Sequence, residues 1–307
     1  MKKILFATTA LVATASVAAA DVTFGGYGRF GIIHSDNAGA DGIAGNADDG
    51  TGAFGSGTDV TSRLRLIITA TAESDAGVTF GAMTRIQQGE GQTGTTNGVR
   101  FFARSGGLEV GVGHIWGALE NMPGQYPVDM GLTGLGYDYT PYVGDGYTSR
   151  GVGISGTNGI EVMYSAGDFA AHISASDTND RIAAYGAYTF SGWTVALAVQ
   201  DSNVATDTEW AASVGGTIGP VAVGLSYTEN GVDGGRAVLS AGMDVGAATN
   251  VEFYYAKDDN DLLALTDDDS YGIDFNHDLG GGTSLRGGVV KRFNSATQAD
   301  FGVRFNF

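Results

Sequence analysis

Along most of the chain, apolar and polar residues alternate with a period of two. Tyr271, Ile273 and Phe275 interleave with Ser270, Gly272, Asp274 and Asn276. Trp193, Val195, Leu197 and Val199 oppose Thr194, Ala196, Ala198 and Gln200, and Leu64, Leu66 and Ile68 oppose Arg63, Arg65 and Thr69. This pattern predicts strands with two unlike faces. Sixteen such segments follow one another: 22–34, 59–72, 78–88, 98–104 and 108–117, then eleven more from 160–165 to 298–307. An even number is what a closed antiparallel barrel with both ends on one side requires. The connections also alternate in length, tight ones such as Ser191-Gly192 and Gly219-Pro220 against long acidic ones, an asymmetry typical of membrane barrels. The expected fold is all-β, a 16-stranded antiparallel transmembrane β-barrel. An arginine facing lipid at the bilayer midplane costs about 2–4 kcal/mol, so the arginine faces must look inward, onto water.

The two ends of the chain sharpen this picture. Lys2 and Lys3 precede an apolar stretch and the small-residue run Ala18-Ala19-Ala20, the layout of a cleaved export signal over 1–20. The barrel domain is then expected over 21–307. In the final segment Phe301, Val303, Phe305 and Phe307 share one face, a pattern that resembles the closing strand of bacterial outer-membrane barrels. Without the two leader lysines, 14 basic residues stand against 34 acidic ones, a net charge of −20. That balance excludes nucleic acid held by counterion release and favours cations as company. With no cysteine in an exported chain, no disulfide framework is available.

One connection stands apart. Three of the four prolines, Pro123, Pro127 and Pro141, fall between the fifth and sixth segments, where proline stiffens a loop and defeats a ladder. A loop this long is commonly functional. Between Ala118 and Ser149 it carries Glu120, Asp129, Asp138 and Asp145 and no lysine or arginine. Arg29, Arg63, Arg65, Arg85, Arg100 and Arg104 sit at inward parity on the first four segments. A barrel of this size leaves an aqueous channel. Folding the third loop (region 118–159) inward, opposite those arginines, would make a narrow eyelet with a transverse field, a charge-ring device for selecting solutes.

Leader, sixteen strands, inward acidic third loop and terminal Phe together resemble a general-diffusion porin of the Gram-negative outer membrane. The stretch Gly98-Val99-Arg100-Phe101-Phe102-Ala103-Arg104-Ser105-Gly106-Gly107-Leu108-Glu109-Val110-Gly111 is similar to the hairpin preceding the pore loop in alphaproteobacterial members. The resemblance implies no enzyme, but a homotrimer in outer-membrane lipid and lipopolysaccharide, passing small hydrophilic solutes and ions with a weak preference for cations. It also implies that the six arginines match the family's basic wall and the four loop acids its acidic loop. In this chain the only lysines after the leader are Lys257 and Lys291, away from the arginine wall. A substrate-selective porin for a sugar or organic acid is the alternative, kept open by Tyr126, Tyr137, Tyr139 and Tyr142.

Other signals weigh less. Gly151-Val152-Gly153-Ile154-Ser155-Gly156 fits a dinucleotide fingerprint only in spelling, since another strand pattern and no helix follows. Asp36, Asp41, Asp48 and Asp49 offer oxygen donors of the kind Ca²⁺ takes, as does the run Asp258–Asp269, but neither has EF-hand spacing. Solvated acidic loops are the plainer reading, and no cofactor is required. A secreted calcium-binding β-solenoid would need a short fixed repeat, which the chain lacks. His34, His114 and His277 are expected at strand ends on the outer face, and His172 inside.

Overall fold

The computed structural model describes residues 20–36, 57–90, 94–143, 158–177, 180–203, 207–231, 234–259 and 267–307. The ladder segments are β1 (Ala20–Ser35), β2 (Thr58–Glu73), β3 (Thr79–Gly89), β4 (Thr95–Thr96), β5 (Arg100–Ser105) and β6 (Leu108–Gly113). After a short helix, α1 (Ala118–Asn121), come β7 (Gly159–Ala166), β8 (Phe169–Ser176), β9 (Arg181–Phe190), β10 (Trp193–Asp201) and β11 (Glu209–Ile218). The last are β12 (Val221–Glu229), β13 (Gly235–Asp244), β14 (Thr249–Asp258), β15 (Asp269–Gly280), β16 (Thr283–Lys291) and β17 (Thr297–Asn306). Apart from β4 and β5, each pairs antiparallel with its neighbours in sequence, and β1 also pairs with β17, from Tyr27↔Asn306 to Ser35↔Gln298, which closes the ring. β4 and β5 lie on the same edge of β3 and form one interrupted strand, so seventeen segments make a sixteen-stranded barrel.

The strand expected over 98–104 appears as Arg100–Ser105, and the interruption at 97–99 separates it from β4. The Asn97 N–H donates to the Arg85 carbonyl (2.9 Å), and the Thr84 hydroxyl to the Asn97 carbonyl (3.0 Å). A Cβ on Gly98 would stand 2.5 Å from His114 Nδ1, so the imidazole fills the gap. His114 is therefore interior, 3% exposed, and not on the outer face. The fifth expected strand, 108–117, stops at Gly113, where φ is 90° and the chain turns inward.

Alternation sorts the walls as the sequence predicts. Phe24, Phe30, Ile32, Leu64, Leu197 and Phe301 point outward, Leu197 with 68% of its surface uncovered. So much apolar surface suits lipid. No described helix is long and apolar enough to cross a membrane, so crossing falls to the strands. His172 lies inside, fully buried.

Candidate functional site

The inward turn after β6 is held by a buried polar network. Arg100 makes 2.6 Å ion pairs with Glu109 and Glu161. The second Glu161 oxygen accepts the Trp116 N–H and faces His172 Nε2, each at 3.0 Å. The Arg100 guanidinium also lies 4.7 Å from the centre of the Trp116 ring, a cation–π contact. One turn on, the Ala118 N–H donates to the Ser174 hydroxyl (2.8 Å). These contacts aim the chain into the barrel at α1.

Packing then fixes the loop to the wall. Leu119, Met122 and Tyr142 rest on inward alanines of β9, β10 and β11: Ala183, Ala187, Ala196, Ala198 and Ala211. Only small side chains leave room there. Val128, Met130, Leu135 and Tyr139 pack on Val238, Tyr254, Ala256, Val290 and Phe293. Each fully buried aliphatic side chain contributes about 1.5–3 kcal/mol. In this sector the inner wall is apolar because loop, not water, covers it.

Between these patches the loop is clamped by charge. Asp300 on β17 accepts the N–H groups of Leu132 (2.9 Å) and Thr133 (2.7 Å) and the Thr133 hydroxyl (2.7 Å). Asp274 on β15 accepts the Gly131 N–H (2.7 Å), and Arg29 on β1 donates to the Leu132 carbonyl (2.6 Å). Gly131 has φ 62°, and a Cβ there would meet an Asp300 oxygen at 2.4 Å, so this close approach needs glycine. Asp129 pairs with Arg286 and, at 3.3 Å, with Arg304; Asp138 takes a two-nitrogen contact from Arg292 (2.7 and 3.1 Å). Arg236 bonds Asp258 at 2.6 Å and donates to the Thr140 carbonyl at 3.2 Å.

Beside the loop lies a cavity of about 830 Å³, lined by Arg65, Arg85 and Arg236 from the wall and by Glu120, Tyr126, Tyr137, Asp138 and their neighbours from the loop. The structure thus brings Arg65 and Arg85 together with Glu120 and Asp138. It does not bring Arg100, which is locked at the loop root, or Arg104, which stands beside the tight turn after β5 and 5.3 Å from the Phe102 ring. Arg29 is spent on the loop backbone. Arg63 faces Arg29 across the β1–β2 ladder, one row from Arg65. Asp129 and Asp138 find their partners on or just after the last strands. Asp145, residues 1–19 of the leader, the glycine motif and Asp41, Asp48 and Asp49 lie outside the described residues, while Ala20 opens β1. Asp36 accepts the Thr297 N–H (2.5 Å), and among the described residues no group of three or more acidic, His or Cys side chains is placed to hold a metal.

The second arginine set (Arg236, Arg286, Arg292 and Arg304) and the wall acids Asp274 and Asp300 escaped sequence reasoning, and Asp258, read there only as an oxygen donor for Ca²⁺, is the partner of Arg236. Strand parity, carried through β13–β17, was the signal that could have found most of them. Beside β3, Glu90 accepts the Thr61 hydroxyl (3.0 Å) and the Ser62 N–H. Partial burial raises its carboxyl pKa, but those bonds and the Arg29 charge outweigh it and hold the group below its ordinary value.

The sequence profile of the Gram-negative porin family matches residues 7–297. The chain is 29% identical to the porin of Fuscovulum blasticum over 315 positions, spanning 94% of this chain and 100% of the relative. It is 27% identical to the porin of Rhodobacter capsulatus over 304 positions, spanning 86% and 99%. Among solved structures, a mutant of the Rh. blastica porin superposes with a TM-score of 0.79 at 26% identity, over 94% of this chain and 100% of that one. A triple mutant of the Rhodopseudomonas blastica porin gives 0.80 at 25% identity, with the same coverage.

Proposed function

The chain belongs to the Gram-negative porin family, and on that premise we propose that it is a water-filled, weakly cation-selective channel for small hydrophilic solutes and ions. It is an outer-membrane porin, not an enzyme. The observation that supports the finer reading is the charge-lined passage, to which the wall contributes Arg65 and Arg85 and the loop contributes Glu120. Opposed charges across a water path order the water and favour solutes whose dipoles align, while apolar solutes must break that order. An acidic protein attracts cations to its mouth. Export by the 1–20 leader and assembly as a homotrimer amid lipopolysaccharide complete the proposal. Asp36, Asp41, Asp48 and Asp49 are proposed as a weak calcium contact at the mouth.

Single-channel recording across a salt gradient tests it. Ohmic steps that close in threes, with a reversal potential of cationic sign, are the expected result. Unitary closures, or an anionic reversal potential, would remove the trimer or the selectivity respectively.

A further inference from the structure

Within 114–143 only four residues are exposed: Tyr126, Asp129, Gly136 and Tyr137. Asp129 is engaged by Arg286 and Arg304. The other two side chains are tyrosines, 44% and 46% uncovered in a loop whose other large apolar groups, Trp116 and Val143 apart, are buried, and both line the passage that Arg65 and Arg85 line from the wall.

Tyr137 is also held in place. Its φ is 61° and that of Leu135 is 40°, left-handed values that non-glycine residues adopt at a cost of about 1 kcal/mol or more each. Its ring stands 5.6 Å from that of buried Tyr139, which in turn stands 5.6 Å, edge-on, from Tyr254 of the wall. The loop therefore accepts backbone strain to present a braced aromatic ring to water. The Arg29 and Arg63 charges also lie within electrostatic range of that tyrosine. A pore needing bulk alone would have no use for the bracing or for a second exposed tyrosine.

We propose that Tyr126, Tyr137, Arg65 and Arg85 form a saturable binding site for small ring-bearing carboxylates within the passage. The ring stacks on tyrosine, and the carboxylate takes the donors of the guanidinium fork, a geometry arginine is built for. The net negative charge of the chain still draws cations, so an anion held on the wall side is compatible with a weakly cation-selective channel. The inference rests on the channel reading above.

The test records channels of the mature protein in potassium chloride and adds benzoate, acetate or glucose in turn. Benzoate is expected to lower the conductance with a saturating dose dependence, while acetate (charge without ring) and glucose (ring without charge) leave it alone at equal concentration. Tyr137→Leu keeps bulk but loses the π face, and should raise the half-blocking benzoate concentration roughly 2- to 12-fold. Tyr126→Leu is the second variant, and each is read against its own chloride conductance, so a barrel that fails to assemble is seen as such. Normal channels on which benzoate acts no differently from acetate overturn the inference alone. Block by glucose at lower concentration than benzoate overturns the ligand class. A protein that conducts nothing in potassium chloride overturns the channel reading itself.

Discussion

Replacing Asp300 by alanine should turn a quiet pore into a noisy one. Asp300 is 6% exposed and serves three loop donors at once. Without it the buried Leu132 amide and the half-buried Thr133 amide lose their acceptor. At about 1–3 kcal/mol per stranded donor, the seated turn is weakened by about 2–6 kcal/mol. Two neighbouring tethers survive, Gly131 to Asp274 and Arg29 to Leu132, the second a bond from a charged group worth about 1.5–3 kcal/mol. Burial of Met130, Leu132 and Leu135 also survives, so the turn should lift only transiently instead of leaving for good. In single-channel records this appears as flicker between substates, with the barrel's heat resistance little changed because the strand ladders are intact. Asp300→Asn keeps one acceptor oxygen and should fall between. If Asp300→Ala shows the wild-type step size and the wild-type noise, the carboxylate is not what holds the loop.

Four other outcomes follow from the same structure. Arg63→Ala with Arg65→Ala leaves the passage more acidic, so the zero-current potential in a salt gradient should move further to the cation side; an unmoved potential would place those side chains off the ion path. Asp258→Asn strands part of the buried Arg236 charge and should cost about 3–5 kcal/mol, read as a lower unfolding temperature on heat-shift gels, with the Arg236→Met, Asp258→Leu pair recovering most of it. Gly131→Ala places a methyl against Asp300 in a left-handed conformation and should reproduce the Asp300→Ala noise in milder form. The Glu90 carboxyl is held low, so its contribution to stability is complete at neutral pH, above the unfolded value, and is lost as pH falls through the lower folded value. Glu90→Gln should therefore flatten the acid side of a stability profile and leave the alkaline side alone.

Where period two governs, the fold was legible residue by residue: the expected 193–200 strand appears as Trp193–Asp201 and 181–190 as Arg181–Phe190. The break at the start of the fourth strand was not, because it depends on a histidine sixteen residues away filling the space over Gly98. The loop's inward course shows in its prolines, its acids and its apolar bulk. Its partners do not, since a segment without periodicity carries no register. Asp129 and Asp138 meet arginines more than 150 residues downstream, and only the path of the chain decides that. Parity marked Ala196 and Ala198 as inward, yet nothing in the local pattern says that a methyl-lined wall is a bed for another segment.

The place where the loop is tied down has a further meaning. Asp300 lies on the last strand, Arg29 on the first, and Leu132 nests between Gly31 and Gly302, residues paired across the seam where those two strands meet. Before the ends of the chain come together there is no such seat. The pore-lining segment is made early in the chain but acquires its final address only when the cylinder is sealed, 168 residues later. Channel width is thus coupled to correct closure, and a protein joined in the wrong register would advertise the error as an unsettled current.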